Sequence, residues 1–522
     1  MKVSLSLGKL ILTGSGFLFL VGCAVGPRYS RPATPVSPAF KEVPQGWKLA
    51  QPADQVLRGK WWEIFQDPQL NVLEEQINVS NQTLKAAQAQ FAQARALVRF
   101  DRADYYPTAT AGLSATEIRQ SQNRPLRSLT SKTTYTDIVL PMDVAYEPDV
   151  WGRVRRTVEA ARADAQATAA DLQSVSLSLH AELALDYFQM RSFDAEEQLL
   201  NSNVIAFEKA LELTQNRYKG GVSSAVDVAQ AQTQLETTRA QAIDLQIQRA
   251  QFEHAIAVLV GQPVSTFSLP VLPLTVPPPA IPPGLPSDLL ERRPDIAGTE
   301  RRMAAANARI GVARTAYFPA LAVSGNGGFE STKLTTLLQG PSGFLSAGIS
   351  ATITAFDVGR RRALNEQARA AYEQTVANYR ETVLGAFQEV EDNLAALRIL
   401  DDESKTQEAA VAAAQHSLDL SVNRYKGGVV SYLEVLTAQT TALSNQRVAV
   451  DILRRRMSAS VLLIKALGGG WNVNTLPSAK LTAPALNGQY ESTYARLGRG
   501  ELLPQLTRNL SWHFCLWGSL KQ

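Results

Sequence analysis

Two periods of apolar residues alternate along this chain, and each predicts its own kind of element. Leu70, Leu73, Ile77, Leu84 and Ala87 fall near one face of a 3.6-residue turn, which predicts a helix over 69–104. Tyr105-Tyr106-Pro107 ends it, because a residue before proline is pushed out of the helical region. The period then drops to two. Ile138, Leu140, Met142, Val144 and Tyr146 alternate with Asp137, Val139, Pro141, Asp143 and Ala145, the pattern of a strand with two unlike faces. Pro141 marks a bulge in it. A weaker strand is predicted over 108–118, with the polar stretch 119–132 as a loop. From 150 to 262 there is no proline, and the Ala, Gln, Glu, Leu and Arg content favours helix. A helix from about 152 to 218, a tight turn over 219–224 and a second helix to about 260 are predicted.

The same order then returns. Residues 263–286 hold nine prolines and read as a linker. Ser287 is placed to cap a helix running to about 316. Tyr317-Phe318-Pro319 mirrors Tyr105-Tyr106-Pro107. Leu321, Val323, Gly325, Gly327 and Phe329 alternate with small and polar residues, as do Leu345, Ala347, Ile349, Ala351, Ile353 and Ala355. A long helix over 359–425, a turn at Gly427-Gly428 and a return helix to 467 follow. The duplication is explicit at the turns: LTQNRYKGGV at 213–222 recurs 207 residues later as LSVNRYKGGV at 420–429. The register holds without a gap, so Asp227 meets Glu434 and Gly261 meets Gly468.

This pattern constrains the fold class. Four strands of this length match a tilted bilayer crossing, with small or apolar residues on one face and hydroxyls on the other. Four strands cannot close, and an open sheet edge is not tolerated in lipid. The chain must therefore assemble, two copies giving eight strands and three giving twelve. The first long helix would run about 100 Å at 1.5 Å per residue, too long for a globular core and suited to a coiled coil or tunnel wall. The expected class is an α+β membrane protein, a duplicated repeat of four transmembrane strands joined to a long α-helical barrel. Repeats at 69–262 and 287–471 carry it, joined by the linker at 263–286.

Composition narrows the chemistry. In 522 residues the net charge is only +4, which does not suggest a nucleic-acid partner. Cys23 and Cys515 cannot form a disulfide framework, and the four histidines stand apart with no HExxH or CxxC. No Ser/His/Asp set, paired carboxylates or GxxxxGK[ST] loop appears, so neither an enzyme nor a cofactor is expected, and transport energy must come from a partner. At the start, Lys2 and Lys9 precede an apolar run at 10–21 that is too short to span and right for a signal peptide over 1–22. Leu20-Val21-Gly22-Cys23 resembles a bacterial lipobox, which implies a covalent lipid on Cys23. Ala24 in place of aspartate favours the outer membrane. Residues 23–68 then read as an extended arm.

The junctions between strands and long helices place Trp151, Arg153, Arg360 and Arg361 together in the repeat. Arginine in a first turn opposes the helix dipole. Two readings stand: these residues meet the headgroup layer, with Trp151 as an interfacial aromatic, or the arginines pair with Asp149 and Asp357.

Several segments together resemble the TolC/OprM (NodT-type) outer-membrane efflux lipoproteins, the outer-membrane component of tripartite pumps of the resistance-nodulation-division class. They are the stretch from Cys23 to Tyr29, Trp61-Trp62 with Phe65-Gln66-Asp67-Pro68, LLERRPDI at 289–296, Ala305 to Pro319, the two RYKGGV turns and ALGGGW at 466–471. The resemblance covers about residues 10–471. It implies a homotrimer with a twelve-stranded barrel and a periplasmic helical tunnel, acting as exit duct for an inner-membrane transporter and a periplasmic adaptor. The hairpin tips, Arg217, Tyr218, Lys219, Gly220 and Gly221 with Arg424, Tyr425, Lys426, Gly427 and Gly428, would meet the adaptor. All four glycines are expected to supply positive φ for the reversal. Leu433 would give an apolar ring and Glu434 a carboxylate ring that narrows the duct and attracts cations, with Asp227 its counterpart. Thr437 departs from the family's frequent aspartate and removes a second acidic ring. Rival readings are a protein-secretion channel with an ABC exporter and a non-conducting periplasmic scaffold. Residues 472–522, with the aromatic run Trp512 to Trp517, fit none of this pattern.

Overall fold

A computed structural model describes residues 24–33, 39–42, 59–121, 123, 133–281 and 289–477. The expected signal peptide, Cys23, the Ser287 cap and parts of the arm, of the 119–132 loop and of the 263–286 linker lie outside these residues. So does the tail beyond Pro477, which belongs to a second unit of the chain.

Trp61–Phe65 forms a 3-10 turn, and Asp67 then caps α1 (Pro68–Ser80) by accepting from the Gln69 and Leu70 amides. The helix expected over 69–104 is two helices. Asn81 breaks it in an extended conformation and caps α2 (Gln82–Ala103), accepting from Leu84 N at 2.8 Å and donating to Leu259 O at 2.7 Å. Apolar spacing is continuous through this point, so periodicity does not reveal the break. A similar correction applies downstream, where α5 (Leu289–Arg292) and α6 (Pro294–Thr315) replace one helix. Pro294 holds Arg293 in an extended conformation, φ −97° and ψ 122°, and starts α6 afresh.

The long helices match the repeat residue for residue. α3 (Arg153–Lys219) and α7 (Arg360–Lys426) have 67 residues each. The return helices α4 (Ala225–Leu259) and α8 (Tyr432–Ala466) have 35 each. Every boundary is displaced by 207 residues, so the copies share start and stop signals as well as sequence. Among the described residues no helix is long and apolar enough to cross a membrane.

The strands are β1 (Thr108–Ala111), β2 (Ser114–Arg119), β3 (Thr134–Tyr146), β4 (Ala320–Ser331) and β5 (Gly343–Thr352). They form one antiparallel sheet in the order β1-β3-β4-β5, with β2 also on β3. β1 and β2 keep one register against β3, Ala111 opposite Met142 and Ser114 opposite Val139. They are a single crossing interrupted where Pro141, which has no N–H, only accepts, from Gly112 N at 3.1 Å. The expected bulge is thus a gap in the partner ladder. β5 stops at Thr352, opposite Ala320 where β4 begins, so Ile353 and Ala355 fall outside the strand for want of a partner.

Alternation sorts the sheet into two faces. Leu140, Met142, Val144, Leu321, Val323, Phe329, Leu345 and Ile349 share one, and Leu345 and Ile349 are 86% and 81% exposed. Thr110, Ser114, Asp143, Ser324, Asn326, Ser346 and Ser350 share the other.

The main core lies elsewhere, in a belt where the start and end of the described chain meet the middle of the long helices. Trp61, Trp62, Leu70, Ile77, Tyr187, Met303, Tyr379, Val461 and Ile464 pack there, all nearly solvent-free. Beneath it Asp194 of α3, fully buried, accepts from Arg249 Nε at 2.7 Å and from Leu272 N at 2.8 Å, fastening the linker to the helices. His180 is also buried, stacked on Trp62 at 4.5 Å with Nδ1 2.6 Å from Glu74 Oε2. Burial alone pushes Glu74 well above the usual carboxylate range and His180 down to about 4.

Candidate functional site

The two hairpin tips have one sequence and two environments. Each long helix ends in a Gly-Gly reversal, but only the second glycine needs a positive φ, Gly221 at 72° and Gly428 at 74°. Gly220 and Gly427, expected to share that role, have φ −81° and −74°, which any residue can adopt. Tyr218 is 50% exposed, whereas its repeat counterpart Tyr425 is 4% exposed. Tyr425 packs edge-on against Tyr432 at 5.6 Å, and its hydroxyl is 3.3 Å from Ser223 Oγ. Arg217 covers the Tyr425 ring, its guanidinium carbon 4.8 Å from the centroid, and donates to Lys426 O at 3.1 Å. Arg217 and Tyr425 thus join the chain's two hairpins, leaving Tyr218, Lys219, Arg424 and Lys426 exposed among the named tip side chains.

The carboxylates are engaged as well. Asp227 completes a capping box with Ser224 and accepts from Ser223 Oγ at 2.7 Å. Partial burial works to raise its pKa, but the serine hydrogen bonds and Arg217 outweigh this and hold it below the usual range. Glu434 accepts from Arg424 Nη1 at 2.7 Å. Leu433 is 56% exposed, and Thr437 turns its hydroxyl back to Leu433 O at 2.8 Å. The neighbouring Tyr432 is buried. Sequence reasoning missed Tyr425 as an internal contact, and no signal could have shown it, because RYKGG is identical in both copies.

At the other end of the long helices, three of the junction residues are held within the chain. Arg153 donates to both oxygens of Glu147 at 2.8 Å, and Arg361 Nε to Asp357 Oδ2 at 2.7 Å. Asp149 accepts from the Val154 and Arg155 amides, supplying the acceptor that a first turn requires. Trp151 stacks on Phe318 at 4.8 Å and donates to Pro319 O at 2.8 Å. Arg360 is exposed, and its side chain contacts no carboxylate among the described residues.

The arm begins at this same level. Val25 N donates to Trp151 O at 3.1 Å, and Ala24 lies so close to Gly152, itself at φ 83°, that a Cβ there would stand 3.0 Å from Ala24 Cα. From there the arm descends the helices. Pro27 O accepts from Asn307, Tyr29 donates to Glu300 Oε1 at 2.6 Å, and Arg31 donates to the Tyr379 hydroxyl at 3.0 Å. The Lys41 and Glu42 amides donate to the Glu391 carboxylate.

A sheet with one apolar and one hydroxylated face, mounted on paired helices of 67 residues, is the architecture of a membrane duct. The family model described as "Outer membrane efflux protein" matches residues 73–262 and 285–469, the two repeats. The chain belongs to the outer membrane efflux protein family. It is 32% identical over 458 residues to the probable efflux pump outer membrane protein TtgC of Pseudomonas putida, covering 87% of this chain and 94% of that one. It is 30% identical over 462 residues to the cation efflux system protein CusC of Escherichia coli, covering 87% and 97%. The solved outer-membrane channel OprN superposes with a TM-score of 0.80 at 30% identity, over 86% of this chain and all of that one. This efflux protein is accordingly an outer-membrane exit duct with a large periplasmic portion.

Proposed function

We propose that three copies of this chain close a twelve-stranded barrel whose long helices form the periplasmic tunnel of a tripartite pump. The observation that carries this is the open sheet. Each chain brings four crossings, its two outer strands have an unpaired edge among the described residues, and its two faces suit lipid on one side and water on the other. Two copies would give a barrel of about eight strands, whose interior side chains fill it. Three give about twelve and leave a lumen.

The finer assignments follow from position. Val25 and Ala24 fix the described start of the arm at the Trp151–Gly152 junction, where the strands meet the helices. A lipid on Cys23 would enter the inner leaflet there and add an anchor. Arg360, exposed at the same level with no carboxylate partner among the described residues, would meet lipid phosphates, while Arg153, Arg361 and Trp151 serve the chain's own junction. The exposed Tyr218, Lys219 and Lys426, with the glycines of both turns, are the surface for a periplasmic adaptor. Leu433 would line the narrow periplasmic end of the duct.

The cargo is small toxic compounds delivered passively from an inner-membrane transporter of the resistance-nodulation-division class, in keeping with relatives named for toluene and cation efflux. A deletion strain should become sensitive to such compounds while its secreted proteins are unchanged. Loss of a secreted protein with unchanged sensitivity would assign the duct to an ABC exporter instead.

A further inference from the structure

We infer that the charge preference of this duct is set in the barrel wall, by Asp137, Asp143 and Glu330, and not at the periplasmic tips by Glu434. The inference rests on the duct reading above and specifies what the duct passes most readily. Three observations carry it. First, the tip carboxylates are committed: Glu434 is paired with Arg424 at 2.7 Å, and Asp227 is consumed in a capping box. A carboxylate bridged to a guanidinium presents little net field to a passing ion. Second, register places Asp137, Asp143 and Glu330 on the hydroxylated face of the sheet. Asp143 is directly opposite Asn326, which donates to it, and Glu330 is opposite Val139, one same-face position from Asp137. Third, no lysine or arginine of the described strands shares that face. Arg119, opposite Thr134, is on the other one.

Among the described strands the three carboxylates therefore stand without a compensating cation, on a wall that low-dielectric lipid backs. That arrangement concentrates cations in the lumen and repels anions. Asn326 adds to it by holding the Asp143 carboxylate across β3 and β4 with a donor that carries no charge. The duct should therefore favour cationic over anionic solutes of similar size.

The test is reversal-potential measurement on the purified full-length protein in planar bilayers, under a tenfold KCl gradient at low ionic strength. Wild type should favour K⁺ over Cl⁻. The triple variant Asp137→Asn, Asp143→Asn, Glu330→Gln should lower that permeability ratio by about threefold or more. Glu434→Gln should leave it within about a third of wild type. The preference should fade toward 1 M salt, where the screening length falls to about 3 Å. Asp143→Asn alone should move the ratio part of the way, which keeps the test open if the triple variant does not assemble. A ratio that is unchanged in the barrel variants, or that falls with Glu434→Gln, overturns the inference. Wild-type protein that shows no conductance steps at all overturns the duct reading itself.

Discussion

Arg217 of the first hairpin lies 4.8 Å over the ring of Tyr425 in the second, and this contact exists only because the two copies of RYKGG are inequivalent in space. A cation over a tyrosine face adds about 0.5–1 kcal/mol at a partly exposed site. Arg217→Ala should therefore loosen one hairpin against the other. Hydrogen exchange at the two tips should accelerate and mean channel conductance should rise. The counterpart change, Arg424→Ala, should free Glu434 and leave the joint between hairpins intact. Equal exchange in both variants would show that the contact does not hold the tips together.

Asn81 divides the first helical region and joins it to the end of α4. Asn81→Ala removes a helix cap and leaves Leu259 O without its side-chain donor, a cost of about 2–3 kcal/mol. Asn81→Ser keeps a cap acceptor but is too short to reach Leu259 O, so it should fall between. Thermal unfolding of the detergent-solubilised protein orders the three, and an undisturbed melting temperature for Asn81→Ala would contradict the role given to it.

Much of this fold was legible in the amino-acid pattern, and the reasons are local. Glycine pairs end both long helices, prolines end the helices before the strands, and a two-residue period needs only one neighbour on each side to be read. The missed features depend on partners remote in sequence. Asn81 stops a helix by reaching a carbonyl 178 residues away. Asp194 and His180 look like surface residues of a polar helix until the linker and the 3-10 turn fold over them. At the tips the residue types were readable, but identical sequences gave no reason to separate the buried Tyr425 from the exposed Tyr218.

His180 gives the belt an acid-sensitive limb. Its folded pKa is lowered from 6.5 to about 4 by burial against Glu74, Asn78 and Trp62. Between those values the unfolded His180 binds a proton that the folded one does not, which lowers stability as pH drops from about 6.5 to 4. Glu74, held protonated in the fold well above its usual range, works the opposite way and offsets this limb. His180→Gln should therefore remove the His180 limb and leave that of Glu74, so the denaturation-against-pH profile tilts toward greater stability in acid. A variant that keeps the wild-type slope would place the acid sensitivity in another group.

Asp227 acts in a lower range. Its folded pKa is depressed, so its contribution is complete above the ordinary value near 4 and is lost as pH falls through the folded value. Asp227→Asn should cost about 0.5–1 kcal/mol at neutral pH, felt locally as faster exchange at the start of α4. Exchange there that is indifferent to the substitution would remove the capping box from the account.

The central claim is that four crossings per chain become a duct only when three chains close together. Native mass spectrometry of the full-length protein released from detergent micelles counts the chains directly. The account predicts a complex of three. A stable complex of two, or a monomer that still conducts in a planar bilayer, would contradict it.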